Sequence, residues 1–133
     1  VEVNLDQVNA LIKDSFPGHV GIELTEVRPG YASCRIPVTA THLHPGGVVH
    51  GGVAFTMADT AMAWAVMASL DENQGCATID MKISYFKAVA EGELVCVAKI
   101  IKPGKRIIFL EAEVTANNET VAKSSASFYI LGS

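Results

Sequence analysis

Charge is scarce in this chain of 133 residues: 18% of positions are Asp, Glu, Lys or Arg, against about a quarter in an average globular protein. Half of the residues are hydrophobic and the mean hydropathy is +0.31. That leaves less polar surface than a small monomer usually shows, so the composition points to an oligomer or an apolar ligand site. Long basic runs are missing too. Ten Lys and Arg against fourteen Asp and Glu give a net charge of -4, which argues against a phosphate-tracking nucleic-acid binder. Cysteine is sparse and odd in number. Cys34, Cys76 and Cys96 lie far apart, with no CxxC pair to hold zinc and no framework for a disulfide-stapled secreted domain. A reducing cytoplasm is the expected compartment. The opening VEVNLDQVNALIKDSF is acidic and amphipathic, not a basic tract followed by an apolar run, so it does not read as a secretory signal. The longest apolar stretch, residues 53–70, carries Asp59, two Thr and a Ser and lacks basic flanks, so it reads as a buried helix and not as a membrane span. Repeats, linkers and low-complexity tracts are absent, and residues 1–133 are expected to form one domain.

What is present is periodic. Asn4 is a candidate N-cap, with Gln7 at capping-box spacing and Leu5, Val8, Leu11 and Ile12 at helical intervals. A short helix is expected over about residues 4–15, stopped by Pro17-Gly18. Val20, Ile22 and Leu24 then alternate with polar neighbours, Arg28-Pro29-Gly30 turns, and Ala32, Cys34, Ile36 and Val38 alternate again, which is a β-hairpin. Gly51-Gly52 open the long apolar helix. Its Ala54, Ala58, Ala61, Ala63, Ala65 and Ala68 are small on several faces, so a sheet can close in, and a helix apolar all round is expected to be buried all round. The period then returns to two, with Ala77, Ile79, Met81, Ile83 and Tyr85 on one face, and further strands follow over residues 94–101, 106–116 and 120–131. The separators Glu91-Gly92, Lys102-Pro103-Gly104-Lys105 and Asn117-Asn118 have turn composition and predict antiparallel neighbours. The expected class is α+β, a sheet curled around one central helix.

Within that helix Asp59 is the sole acid between Gly51 and Leu70, and an ionised carboxylate in an apolar helix needs a compensating role. A buried Asp satisfied by Thr56, Thr60 or backbone is the structural alternative to a catalytic carboxylate. His50-Gly51-Gly52 place free backbone N–H groups and the positive helix end where an oxyanion could be stabilised. The two features stand eight residues apart, about 12 Å along a helix axis, too far for one helix to present both to one carbon. Two such helices packed antiparallel across a two-fold would bring Asp59 of one chain opposite Gly51 of the other. His42, His44 and His50 could be read as a metal cluster, but no neighbouring acid or cysteine completes it, and no metal is expected. Cys76 lacks an adjacent base and is not expected to be a nucleophile. Lys82, Lys87, Lys102, Lys105 and Arg106 lie on strands or turns, each a solvated charge or, as for Lys87, Lys105 and Arg106, a candidate to bind an anionic group. Phe55, Met62, Trp64 and Tyr85 are the candidates to line a pocket.

The segments HLHPGGVVHGGVAFTMADTAMAWAV and ATIDMKISYFKAVAEGE resemble the hotdog-fold acyl-CoA thioesterases, in the PaaI-like, phenylacetate-degradation branch of the 4-hydroxybenzoyl-CoA thioesterase superfamily. The resemblance runs from about residue 20 to the C-terminus. It implies a curved antiparallel sheet around a long helix, assembled as homodimers that pair into homotetramers. It implies hydrolysis of an acyl-CoA, with no cofactor beyond the coenzyme A of the substrate. On the matching positions it makes Asp59 the general base or nucleophile, Gly51 N–H the oxyanion donor with Gly52 beside it, His50 the motif histidine, and Thr78 the orienting hydroxyl of the Asp59 subunit. His44 stands where the family has Asn or Gln, and Ala63 stands where a related branch has Thr. A hotdog hydratase or dehydratase, or a non-catalytic acyl-CoA binder, are the alternative readings. The acyl group is left open among aryl-acetyl, hydroxybenzoyl and medium-chain groups.

Overall fold

The computed structural model describes residues 3–132. Helix α1, Leu5–Lys13, starts at Asn4, whose side-chain oxygen accepts the Gln7 N–H at 3.0 Å, and it buries Val8 and Ile12. The expected stop at Pro17-Gly18 does not occur. The chain breaks earlier and re-enters a short helix α2, Phe16–Val20, with Pro17 in its first turn, where a missing N–H is harmless. Gly21, at φ +102°, ends α2, so the first strand begins at residue 23, three residues later than the alternation from Val20 suggested.

Strands β1, Glu23–Arg28, and β2, Tyr31–Pro37, form the expected hairpin. A 3₁₀ turn at Ala40–His42 and a loop lead to helix α3, Gly51–Met67, and then come β3, Gly75–Tyr85, β4, Glu93–Lys102, β5, Ile107–Ala116, and β6, Glu119–Leu131. All six strands make one antiparallel sheet in the order β1-β2-β4-β5-β6-β3. Strand β3 is therefore not the neighbour of β4, as the local turn signal at Glu91-Gly92 suggested; it pairs with β6 at the far edge. Residues 86–92 make the crossing as a strap. Phe86 N–H donates to Val121 O, Val89 O accepts from Val49 N–H, and Gly92 O accepts from Val38 N–H, so the backbone polar groups of the strap are satisfied at three places along the end of the sheet.

Helix α3 packs against all six strands. Met57, Ala58, Ala61, Met62, Ala65 and Val66 are fully buried, and each of the larger side chains contributes roughly 1.5–3 kcal/mol by leaving water. The alanines let Leu94, Leu110, Val114 and Phe128 approach the helix from the sheet. The expectation of burial all round fails on one side. Gly52 and Phe55 are exposed, and Asp59 and Ala63 are half-buried, forming an open strip along α3 beside the edge strand β3. No helix among the described residues is long and apolar enough to cross a membrane.

Strand β3 also departs from simple alternation. Thr78 pairs with Phe128 and Asp80 with Ser127, so Ile79 is an extra residue, a β-bulge. Thr78 and Tyr85 both reach α3, while Ala77 and Ile79 are exposed, which corrects the expectation that Ala77, Ile79, Met81, Ile83 and Tyr85 share a face.

Candidate active site

The site begins where α3 begins. His50 is its N-cap, in extended conformation, and its Nδ1 accepts the Gly52 N–H at 2.8 Å, while His50 O accepts from Val53 N–H. Among the described residues no protein acceptor takes the Gly51 N–H. Of the two glycine donors, Gly52 is thus occupied by the capping ring and Gly51 is left at the positive end of the helix. Tyr85 fixes Gly51 from β3: its hydroxyl donates to Gly51 O at 2.6 Å, and a Cβ built on Gly51 would lie 3.0 Å from that oxygen and 3.1 Å from the ring carbon bearing it. A side chain at this position would press on Tyr85, which would have to give by a few tenths of an ångström. Sequence pattern alone places Tyr85 only among the pocket candidates, because the bulge hides its contact with Gly51.

Two turns further along, Thr78 Oγ1 donates to Asp59 Oδ1 at 2.7 Å. Asp59 is half-buried on the open strip, not sealed in the core, so its charge keeps contact with solvent. Thr56, one of the residues offered as its structural partner, donates to Gly52 O instead. The neighbouring Cys76 donates weakly to Ala63 O, and burial, then the Asp59 carboxylate, push its thiol up to about 11, which leaves it protonated and a poor nucleophile near neutrality. Burial likewise raises the Tyr85 hydroxyl above its ordinary value, in keeping with its role as a donor.

The other histidines divide. His44 is half-buried, its Nδ1 accepts the Gly46 N–H at 2.8 Å, and its ring stands edge-on to His50 with centroids 6.5 Å apart. His42 is buried with both ring nitrogens engaged, by Thr39 N–H and Val20 O, so it has no free lone pair for a metal. Among the described residues no cluster of three His, Cys, Asp or Glu is arranged to hold one. Of the basic candidates, Lys87 is paired with Glu119 at 2.7 Å and Arg106 donates to Gly132 O at 3.2 Å, while Lys105 is exposed in the β4–β5 turn. Of the pocket candidates, Met62 is fully buried, Trp64 is half-buried and Phe55 is 40% exposed on the open strip. A separate groove of about 390 Å³ lies beside the start of α3, lined by Phe16, Val20, Leu43, His50, Gly52 and Val53.

A curled antiparallel sheet around a central helix, with His-Gly-Gly at the helix start and an acid two turns on, is the hotdog arrangement. The Thioesterase superfamily model matches residues 46–123, and the chain belongs to that family. The human Acyl-coenzyme A thioesterase 13 is 30% identical over 95 residues, covering 71% of this chain and 67% of that protein. In fold, the chain is similar to a Haemophilus influenzae thioesterase, with a TM-score of 0.94 at 23% identity over 99% of this chain and 93% of that one. It is also similar to the phenylacetic acid degradation protein PaaI of Thermus thermophilus, with a TM-score of 0.81 at 24% identity over 87% of this chain and 98% of that one.

Proposed function

We propose that this thioesterase hydrolyses acyl-CoA thioesters, with Asp59 as the base and Gly51 N–H as the oxyanion donor, in a site completed by a second copy of the chain. The observation that carries the reading is the Thr78–Asp59 hydrogen bond on the open strip of α3. The Thr78 hydroxyl occupies Oδ1, which leaves Oδ2 to take a proton from water. That water adds to the thioester carbonyl, the carbonyl oxygen becomes an oxyanion facing Gly51 N–H, and the intermediate collapses with loss of the CoA thiolate, which recovers the proton from Asp59. His50 holds the helix terminus, Gly52 lies against the substrate beside it, and His44 directs its other ring nitrogen toward water or carbonyl. Lys105, with Lys87 and Arg106 once their present partners are exchanged, meets the phosphates of coenzyme A, and no cofactor takes part.

Asp59 and Gly51 of one chain are about 12 Å apart along the helix, so the reacting pair comes from two chains of a homodimer. The unpaired edge of β3 and the open strip of α3 lie side by side and suit such an interface. Exposed Ile101, Ile107, Phe109 and Tyr129 on the outer face of the sheet suit a second contact, joining dimers into a homotetramer. The whole chain acts as one hotdog domain, and its three free cysteines suit a reducing cytoplasm. A panel of aryl-acetyl, hydroxybenzoyl and medium-chain acyl-CoAs, assayed for free thiol, tests the reading. Release of thiol supports it; hydration of an enoyl-CoA without thiol release would replace it with the hydratase alternative.

A further inference from the structure

Unlike His44 and His50, His42 turns inward and is 7% exposed. Its ring nitrogens meet groups of fixed character. Thr39 N–H, which can only donate, lies 2.9 Å from Nδ1; Val20 O, which can only accept, lies 2.5 Å from Nε2. Nδ1 therefore accepts and Nε2 donates. Val20 is the last residue of α2, and Thr39 opens the 3₁₀ turn at Ala40–His42. The backbone carbonyl of the same histidine accepts the His50 N–H at 2.9 Å, and His50 caps α3. One buried side chain thus ties α2 to the 39–50 segment and, through it, to the residue preceding Gly51.

We infer that His42 is a positioning residue for the oxyanion donor. It holds the 39–50 segment against α2 and so sets where the Gly51 N–H stands, without touching the substrate. The inference rests on the role given to Gly51 under Proposed function. A donor that meets its oxygen only as charge develops contributes to kcat more than to KM, so displacing it lowers kcat.

Three substitutions separate positioning from mere packing. His42→Phe keeps a ring against Phe16, Val20 and Leu43, which line the same groove, but makes neither hydrogen bond. His42→Asn offers an oxygen near the Nδ1 place for Thr39 N–H, and His42→Gln offers an N–H near the Nε2 place for Val20 O. Acyl-CoA hydrolysis and amide hydrogen exchange are measured on all three. In His42→Phe, kcat is expected to fall about 10- to 100-fold with KM held within about threefold, as for a donor misplaced by about an ångström. Exchange at His50, Gly52 and Val53, whose N–H groups are bonded to His42 O, His50 Nδ1 and His50 O, should accelerate while the amides between β4 and β5 keep their protection, and Asn or Gln should recover part of both losses. Unchanged kcat in folded His42→Phe, or exchange that accelerates equally across the sheet, would overturn the inference; where Phe prevents folding, the same two measurements on Asn and Gln decide between positioning and packing. If the wild-type chain releases no thiol from any acyl-CoA, the functional reading fails, while the exchange measurement still decides whether His42 holds the helix terminus.

Discussion

Thr78 Oγ1 lies 2.7 Å from Asp59 Oδ1, joining the edge strand β3 to the central helix at the one acid of that helix. The bond gives Asp59 a fixed orientation on a strip that the sheet leaves uncovered. Asp59→Asn and Asp59→Ala are expected to lower kcat by about 10²- to 10⁴-fold, the range for loss of a general base. Melting temperature should change little, because removing a half-buried carboxylate leaves no unpaired charge. Thr78→Ala should lose less than Asp59→Ala, and Thr78→Ser should retain most turnover. Near-normal hydrolysis by a folded Asp59→Ala removes the carboxylate from the mechanism.

Cys76 can report on Asp59 without any substrate. Burial and then the Asp59 carboxylate hold its thiol at about 11, and iodoacetamide reacts with the thiolate. Alkylation of Cys76, followed by peptide mapping, should be slow at pH 8 and should speed up in Asp59→Asn, where the second of the two causes is gone. The same thiol affects stability. Its folded value exceeds the ordinary 9.0, so the stabilisation is present below about pH 9 and is lost as pH rises toward about 11. Cys76→Ala should flatten the fall in melting temperature across that window. Equal alkylation rates in wild type and Asp59→Asn would contradict the proximity.

Shared sites predict rescue by mixing. Asp59→Ala lacks the proposed base, and Gly51→Pro lacks the N–H proposed as the oxyanion donor, at the first helical position, which proline tolerates. Each homodimer should be nearly inactive. Heterodimers formed by subunit exchange would carry one intact site and should recover up to about half of the wild-type turnover per dimer, since two equivalent sites follow from a two-fold. Verified exchange with no recovered activity would argue for a site built within one chain.

His44 stands where relatives are expected to carry an amide. Its Nδ1 accepts the Gly46 N–H, so the ring braces the turn beside the site. His44→Asn, whose amide can likewise accept one hydrogen bond and donate another, should keep substantial hydrolysis, while His44→Ala should be much slower. His50 is present in all three proteins, so the comparison isolates one ring. A fully active His44→Ala would reduce His44 to a loop residue.

The features legible in the sequence are those written locally. The hairpin around Pro29-Gly30, the apolar helix after Gly51-Gly52 and the alternation in residues 94–101 and 120–131 all appear in the structure close to where the pattern puts them. The family likeness singles out Asp59 and Thr78 separately, and the hydrogen bond that joins them is a finding of the structure. Strand order is not legible, since Glu91-Gly92 has turn chemistry whether the next strand pairs with β3 or, as here, with β2. Pro17 misleads because proline stops a helix interior yet suits a first turn. The open strip at Gly52, Phe55 and Asp59 is hidden by composition: a helix rich in apolar residues looks the same whether its last face is covered by its own sheet or by another chain.

The extra residue at Ile79 has an arithmetic consequence. Thr78 and Tyr85 are seven positions apart, an odd interval, and in an unbroken strand odd intervals point to opposite sides. Both nonetheless reach the helix, one to Asp59 and the other to Gly51, because one unit of count is absorbed between them. Parity in β3 therefore decides whether one strand can brace both Asp59 and Gly51 of its own helix. Inserting one further residue between Thr78 and Tyr85, with the bulge at Ile79 kept, would turn one of the two away and leave a strand able to serve Asp59 or Gly51 but not both.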